Sequence, residues 1–275
     1  MKVIDTETDT MPKQNTLHLA VCSNLRRDLM VSLKENKKPL SELRDELGVS
    51  STTAIHALRD LEKGNLLFQD EVRDYALTKI GEIVALKLSD FLNTIEVLQK
   101  YERFWCEHDL SDIPPPLLER IGYLRNSMPL MGTPTDIFKL HTTFLRVLET
   151  ANKVKGIYPI FNIEYLTTIE KLVKGRKADV ELIVTNEVLD SIGGAIESEE
   201  AFKDLLHEPS FSLFATDKDV KIALTLTDSV FYLGLFAPDG IYDYNRALIS
   251  DDEKALSWGR ALHEHYRQHS EVVNW

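Results

Sequence analysis

The chain has 275 residues, 43% of them hydrophobic and 28% charged, which is typical of a globular protein with one large or two modest domains. Two cysteines exclude a disulfide-rich secreted scaffold, and no apolar run is long enough to cross a membrane. The polar, acidic first residues do not resemble a secretion signal, so we expect a soluble cytoplasmic protein without a membrane partner.

The net charge of −12 is unevenly distributed along the chain. Residues 14–90 hold 11 Lys and Arg against 12 Asp and Glu, whereas residues 91–275 hold 19 against 29. The first third is therefore nearly neutral, and it can present a basic face to nucleic acid if its acidic side chains point elsewhere.

Residues 1–13 are predicted to be a disordered tail, and residues 14–78 form the first predicted domain. Apolar residues at helical spacing predict one helix over about 15–35. A second, short helix, SELRDEL, is expected to take Ser41 as its N-cap and Gly48 as a left-handed C-terminal residue.

A third helix and a hairpin complete this domain. Ser50 or Ser51 is the expected N-cap of the third helix, TTAIHALRDLEK, and the segment LLFQDEVRDYALT predicts a β-hairpin with a charged turn. Helix, glycine turn, helix and hairpin is the order of a winged helix-turn-helix, which inserts its third helix into the major groove of double-stranded DNA.

Small hydroxyl and basic residues occupy the outer face of the third helix, where they suit phosphates and base edges. These candidate DNA-binding residues are Ser51, Thr52, Thr53, His56, Arg59 and Lys63, with Arg73 at the tip of the wing. Further phosphate contacts are expected from Arg26, Arg27, Lys37 and Lys38. Two alternatives stay open: Arg59 pairs with Asp60 or Glu62, and the domain is a protein-interaction adaptor that binds no DNA.

Residues 79–108 are predicted to form one long linking helix that pairs two copies of the chain. Apolar residues alternate at spacings of four and three, the pattern of a helix–helix seam: Val84, Leu88, Phe91, Ile95, Leu98 and Trp105. Three prolines, Pro114 to Pro116, end this module, and residues 109–135 are expected to be a linker. The prediction is a homodimer.

Residues 136–275 are predicted to form a mixed α/β effector domain. A helix over 136–154 is followed by the strand GIYPIF, a helix over 163–173 and the strand DVELIV, which is the order of a parallel β-α-β unit. After two short helices come the strands FSLFAT, VKIALTL and VFYLGLF, whose short turns predict antiparallel pairing. Ser250 and Glu253 predict a capping box for the last helix.

The sequence resembles the winged-helix transcriptional regulators of methanogenic archaea through GVSSTTAIHALRDLEKGNLLF and its surroundings. The second half resembles the effector domain found in regulators of methanogenesis and filament formation through GIYPIFNIEYL, VELIVTNEVL, LGLFAPDGIYDYNRALIS and ALSWGRALHEHYRQ. The resemblance covers the chain except its first dozen residues. It implies a dimeric DNA-binding regulator with base or phosphate contacts within residues 51–63, and it supplies no ligand.

The effector domain is also similar to sensor domains of the phospholipase D-like fold, whose enzymes use a His-x-Lys motif. None of the eight histidines is followed two residues later by lysine, so we expect no enzyme of that mechanism. His265 and His269 have a spacing that can hold a metal, but a polar helix face is favoured, and no metal or cofactor is predicted. An enzyme in this domain remains the alternative function.

A pocket for a small-molecule effector is expected at the carboxyl ends of the parallel strands, where ligands bind in such sheets. The candidate ligand-binding residues are Phe161, Thr185, Tyr242, Asp243 and Arg246. In the competing interpretation Asp243 and Arg246 pair with each other, and Tyr242 and Tyr244 pack beneath the last helix.

Overall fold

The computed structural model describes residues 16–133, 135–136, 138–195 and 199–273. The predicted tail over 1–13 lies outside the described residues. The chain divides into two compact units between Leu92 and Asn93.

The N-terminal unit has the predicted order of helix, turn, helix and hairpin. Its helices are α1 (Thr16–Val21), α2 (Asn24–Ser32), α3 (Leu40–Leu47), α4 (Ser51–Lys63) and the first part of α5 (Lys79–Lys100). Its strands are β1 (Lys38–Pro39), β2 (Leu67–Gln69) and β3 (Asp74–Leu77). They pair antiparallel in the order β1-β3-β2, so the predicted hairpin is confirmed and β1 is an addition.

Two local predictions for this unit are wrong. The single helix over 15–35 is two helices, because the Ser23 hydroxyl accepts the N–H of Arg26 and starts α2 afresh. Ser41 is not an N-cap, since α3 begins directly after Pro39 without a side-chain cap. Gly48 does adopt the left-handed conformation, with φ of 63°, and the Ser50 hydroxyl accepts the N–H of Thr53 at the start of α4.

The core of this unit lies between α2, α3 and α4, whose leucines pack against each other: Leu29, Leu43, Leu58 and Leu61 have no solvent exposure. α5 passes so close to the start of the hairpin that a Cβ on Gly81 would lie 1.8 Å from the carbonyl oxygen of Leu66. Glycine at this position is therefore needed to fix α5 against the winged-helix core.

The long linking helix is shorter than predicted. α5 ends at Lys100, Tyr101 leaves the helical conformation, and α6 (Glu102–Cys106) follows. The predicted seam is not one surface, because Leu88 is buried in the N-terminal core and Trp105 in the core of the other unit. Only part of the seam is exposed: Phe91 by 54% and Leu98 by 39%. The placement of Leu88 in a dimer interface is wrong.

The C-terminal unit is a mixed α/β domain. Its further helices are α7 (Pro115–Leu118), α8 (Lys139–Glu149), α9 (Ile163–Lys171), α10 (Asn186–Ala195), α11 (Glu199–Leu206) and α12 (Glu253–Arg267). A 3₁₀ turn spans Ile121–Leu124, and a π-helical turn spans Leu172–Arg176. The strands are β4 (Met128–Met131), β5 (Lys153–Tyr158), β6 (Asp179–Thr185), β7 (Phe211–Thr216), β8 (Ile222–Thr227), β9 (Phe231–Phe236), β10 (Tyr242–Ser250) and β11 (Glu271–Val272).

Among the described residues, these eight strands form one sheet in the order β11-β7-β6-β5-β8-β9-β10-β4. The predicted parallel β5-α9-β6 unit and the antiparallel β8–β9 pair are confirmed. The expected β7–β8 pair is wrong, because β7 pairs parallel with β6 while β8 crosses to the other side of β5. The segment between β9 and the last helix contains β10, a nine-residue strand that was not predicted.

Residues 109–135 are not a free linker in the structure. Ile113, Leu117 and Leu124 are buried in the core of the C-terminal unit, and β4 pairs with β10 at the edge of the sheet. The helix predicted over 136–154 is limited to α8, because the chain already enters β5 at Lys153. Ser250 does not cap α12; Asp252 accepts the N–H of Lys254 instead.

Helices cover both faces of the sheet and create two cores. One core lies under α6, α7 and α12 and contains the fully buried Trp258. The other lies under α8, α9, α10 and α11 and contains Phe144 of α8 and Tyr158 of β5. Neighbouring strand residues alternate between the two cores, as the pleat of a sheet covered on both faces requires.

Candidate DNA-binding surface and candidate ligand pocket

The outer face of α4 is solvent-exposed along its length. All six candidate side chains on this helix are exposed: Ser51, Thr52, Thr53, His56, Arg59 and Lys63. The opposite face is buried through Ala54, Leu58 and Leu61, which fixes the direction in which the polar face points. The predicted orientation is therefore confirmed, while contact with DNA stays a prediction.

The start of α4 offers unpaired backbone donors. The amides of the first turn of a helix have no acceptor within the helix, and Ser50 takes up the amide of Thr53. The backbone amides of Ser51 and Thr52 belong to the same turn, next to exposed hydroxyl groups. This end of α4 can donate hydrogen bonds to a phosphate at the positive end of the helix dipole.

The wing holds Arg73 in a fixed turn. The Asp70 carboxylate accepts the N–H groups of Val72 and Asp74, and Gln69 donates its side-chain amide to the carbonyl of Arg73. Arg73 itself has a φ of 69°, a conformation that non-glycine residues rarely adopt, and its side chain is exposed. The turn thus presents a guanidinium group at the tip of the hairpin.

The other predicted phosphate contacts are occupied by ion pairs within the N-terminal unit. Arg26 donates to Asp60 at 3.3 Å and to the carbonyl of Leu19. Lys37 pairs with Asp70 at 2.6 Å, and this pair lowers the pKa of Asp70 and raises that of Lys37.

Two more of these cations are paired. Lys38 lies 2.7 Å from Glu46, which lowers the pKa of Glu46, and Arg27 lies beside Asp28. These contacts neutralise acidic residues of the unit.

Arg59 does not pair with Asp60 or Glu62, the alternative that its sequence neighbours suggested. Asp60 pairs instead with Arg26 of α2. Within the part of the chain that the structure describes, no ion pair is formed by Arg59, Lys63 or Arg73. Arg26, Lys37 and Lys38 neutralise acidic groups of the unit. Arg59 and Lys63 on α4 and Arg73 at the tip of the hairpin therefore remain available to contact a phosphate.

In the C-terminal unit the candidate ligand residues do not form one site. Thr185 is buried, and its hydroxyl accepts the N–H of Val188 at the start of α10. Asp243 accepts from Arg246 at 2.6 Å, so the competing interpretation is right for this pair. Both also bind the segment after α6, Asp243 through His108 and Arg246 through Glu107.

Phe161 and Tyr242 instead line two adjoining pockets under α8 and α9. Phe161 lines the first pocket and Tyr242 lines the second, and both pockets are narrow. The two pockets share Tyr158, Ile160 and Tyr165. Tyr242 therefore faces away from the last helix, contrary to the competing interpretation.

The second pocket is surrounded by aromatic rings, a group that we name the tyrosine chamber: Phe144, Tyr158, Tyr165, Tyr232 and Tyr242. The Phe144 ring is central, with centroids 4.5 Å from Tyr165 and 5.2 Å from Tyr232. The sequence analysis predicted only Tyr242 among these five residues, because each of the five comes from a different helix or strand. The one available signal was Tyr158, within the predicted strand GIYPIF.

Two further observations bear on function. Among the described residues, no group of three or more His, Cys, Asp or Glu side chains is placed to hold a metal ion. No helix in this part of the chain is long and apolar enough to span a membrane.

Comparison with known proteins accounts for both units. Residues 14–96 match the family model of the N-terminal domain of methanogenesis regulatory protein FilR1, and residues 137–269 match the model of its middle domain. The chain belongs to the FilR1 family. The FilR1 protein of Methanothrix harundinacea (strain 6Ac) is 32% identical over 254 residues, which is 92% of this chain. The chain spans 56% of the length of that relative.

Two solved structures show a weaker likeness to this FilR1-family chain. The archaeal chromatin protein TrmBL2, described as showing a novel mode of DNA binding, matches 90% of this chain and 94% of its own with a TM-score of 0.43 and 16% identity. Nuc from Salmonella typhimurium, a phospholipase D family member, matches 54% of this chain and 99% of its own with a TM-score of 0.38 and 11% identity. The mixed α/β prediction is confirmed, and the phospholipase D-like assignment stays a prediction.

Proposed function

We propose that the chain is a cytoplasmic transcription regulator that binds double-stranded DNA through the outer face of α4 and the wing. The observation that carries this proposal is the set of three exposed cations, Arg59, Lys63 and Arg73, which form no ion pair with the described residues, together with the hydroxyl-rich start of α4. The family supports a regulatory role. Arg26, Lys37 and Lys38 bind acidic groups and are assigned to the fold of the unit.

The mode of binding follows from the geometry of α4. The buried face of this helix rests on α2 and α3, so the exposed face can enter a major groove without moving the core. Ser51 and Thr52 are small enough for close approach of the helix end to a phosphate. Arg59 and Lys63 lie further along the helix, within reach of phosphates and of the base edges beside them. Arg73 then contacts the flanking backbone.

A homodimer is part of this proposal. Exposed apolar residues follow one side of α5 at helical spacing: Ile80, Ile83 and Phe91 are 57%, 64% and 54% exposed. Pairing through this side, rather than through Leu88, places two copies of α4 on one duplex, and half-sites are expected roughly 34 Å apart.

The protein is proposed to act by binding and not by catalysis. The residues that line the two pockets under α8 and α9 include no histidine, cysteine or carboxylate. A nucleophile with a neighbouring base is the minimum for covalent hydrolysis, and neither pocket supplies that pair.

The experiment that tests the proposal is selection of bound genomic fragments by the full chain at two salt concentrations. Six phosphate contacts per dimer predict a fall in affinity of about 10³-fold between roughly 50 and 200 mM salt. Enrichment of a common sequence at the higher salt concentration supports the proposal, and it also identifies the operator. Recovery of no fragments above background at either concentration would contradict it and would favour the protein-interaction adaptor.

A further inference from the structure

The tyrosine chamber concentrates hydroxyl groups inside an otherwise apolar core. Four phenols and the hydroxyl of Thr225 line one pocket, and Thr225 donates to Tyr158 at 3.2 Å. Burial raises the pKa of the phenols of Tyr158, Tyr232 and Tyr242 and raises that of Tyr165 to about 12. The phenols are therefore neutral hydrogen-bonding groups at any physiological pH.

Such a cluster is costly if its only role is to fill space. Each buried hydroxyl must recover the hydrogen bonds that it made with water, whereas leucine or phenylalanine carries no such requirement. Here the strand residues make room for the rings: a Cβ on Gly234 would lie 2.2 Å from the hydroxyl oxygen of Tyr242. Tyr158 bonds to Thr225, and Tyr165 bonds to the imidazole of His141, so the arrangement places hydrogen-bonded polar atoms inside an otherwise apolar core.

The chamber also lies where a mixed sheet binds ligands. Tyr158 is the last residue of β5, and β5 runs parallel to β6 with α9 as the connection between them. The carboxyl ends of parallel strands are the usual position of ligand pockets in α/β sheets. The adjoining pocket, lined by Phe161 and Asn162, continues from the same strand end.

No charged side chain lines either pocket. A carboxylate or phosphate in this position would lose its hydration without meeting a cation, which is strongly unfavourable. Aromatic faces from α8, β5 and α9 instead favour a flat, apolar molecule. Phenol and threonine hydroxyls supply donors and acceptors for one or two polar groups on it.

Entry of a ligand requires a side chain to move, because most of the free space consists of gaps narrower than a ring. Tyr165 stands between the two pockets, is only half-buried, and comes from the short helix α9. That helix runs directly into a π-helical turn, Leu172–Arg176, a feature that often accompanies functional sites. Displacement of the Tyr165 ring would join both pockets into one cavity.

We propose that the tyrosine chamber binds an uncharged small molecule that carries a flat ring and at least one hydrogen-bonding group. Its role as the signal of a regulator rests on the proposed DNA-binding function, whereas the binding itself does not. Side chains of α8, β5, β8, β9 and β10 contact the ligand, and Phe144 stacks on its ring.

The test compares two probes of similar shape with the full chain in the absence of DNA. The neutral probe is 4-methylphenol, and the charged probe is 4-hydroxybenzoate. Binding is measured by isothermal titration and by saturation-transfer NMR. Three variants are compared: Ala223→Leu fills the chamber, Thr225→Val removes one hydroxyl at constant shape, and Tyr266→Phe removes a buried phenol from the other core as the control.

The proposal predicts saturable binding of 4-methylphenol, about tenfold weaker binding of 4-hydroxybenzoate, and loss of about tenfold in affinity in Ala223→Leu and in Thr225→Val. Tyr266→Phe is expected to bind like the parent chain. Where Ala223→Leu fails to fold, as judged by circular dichroism, Thr225→Val decides. No saturable binding, equal affinity for both probes, or unchanged affinity in the chamber variants overturns the proposal. None of these outcomes bears on the proposed DNA binding, which is tested in a separate experiment.

Discussion

The Nε2 atom of His108 lies 3.1 Å from a carboxylate oxygen of Asp243, although 135 residues separate the two in sequence. The His108 side chain is fully buried, and Asp243 also accepts from Arg246 at 2.6 Å. This contact fastens the segment after α6 to β10, the strand that contributes Tyr242 to the tyrosine chamber.

Removing the Asp243 charge is expected to destabilise the C-terminal unit. Asp243→Asn removes the carboxylate that His108 and Arg246 share, while Arg246 keeps its contact with Glu107, and loss of a hydrogen-bond partner by a buried polar group typically costs about 1–3 kcal/mol. Urea denaturation of the full chain measures the free energy of unfolding. The exposed Asp251→Asn is the matched control, with a change of less than about 0.5 kcal/mol. Equal stability of the two variants would show that the contact is not structural.

Two glycines on helices predict opposite effects of the same substitution. A Cβ at Gly81 would overlap the Leu66 carbonyl, so Gly81→Ala is expected to destabilise the N-terminal unit by about 3 kcal/mol or more. A Cβ at the exposed Gly193 of α10 meets nothing within 4 Å, so Gly193→Ala is expected to stabilise by about 0.5–1 kcal/mol. Thermal unfolding by calorimetry checks both, and a neutral Gly81→Ala would refute the close approach of α5.

His263 predicts a loss of stability in acid. Its ring is 1% exposed, neither nitrogen has a hydrogen-bond partner among the described residues, and burial lowers its pKa from 6.5 to about 4. Between these values the unfolded chain binds the proton and the folded chain does not. Stability therefore falls as the pH drops from 6.5 towards 4, by on the order of 2–3 kcal/mol.

The variant that isolates this effect is His263→Leu. Its unfolding free energy is expected to fall less between pH 6.5 and 4 than that of the parent chain, whereas the exposed His207→Leu follows the parent. Denaturation curves at several pH values supply the comparison. Parallel pH profiles for the parent chain and His263→Leu would remove His263 as the cause.

The dimer prediction depends on the exposed side of α5. Phe91→Lys places a charge on the exposed apolar side of α5 that also contains Ile80 and Ile83. The variant is expected to shift the equilibrium from dimer towards monomer, as measured by sedimentation at micromolar concentration. The exposed Gln99→Lys adds the same charge elsewhere on this helix and is expected to leave the dimer intact. A parent chain that sediments as a monomer would contradict the homodimer itself.

Local signals in the sequence predicted the limits and the exposed face of α4, the candidate DNA-binding helix. Ser50 and Gly48 act within one helical turn of their own position, so the limits and the outer face of α4 follow from neighbouring residues alone. The position of β8 could not be predicted in this way. Its pairing with β5 instead of β7 is decided by contacts between residues distant in sequence.

The same limitation hid β10 and the tyrosine chamber. Residues 242–246 are polar and include typical turn residues, and the register shifts between Tyr242 and Ala247, so the strand shows no clear alternation. The chamber exists only once α8, α9, β5 and β9 are packed together. The buried residues on either side of the three prolines, such as Ile113 before them and Leu124 after them, likewise show no period in the sequence.

The most direct test of the central claim is the affinity of the full chain for a selected duplex, measured by fluorescence anisotropy at several salt concentrations. Arg59→Ala and Arg73→Ala are each expected to weaken binding by about 10- to 100-fold and to reduce the salt dependence, because each removes two cations per dimer. Arg260→Ala, which removes an exposed arginine of α12, is the control. Affinity that is independent of salt and unchanged in both variants would contradict the assignment of α4 and the wing to DNA.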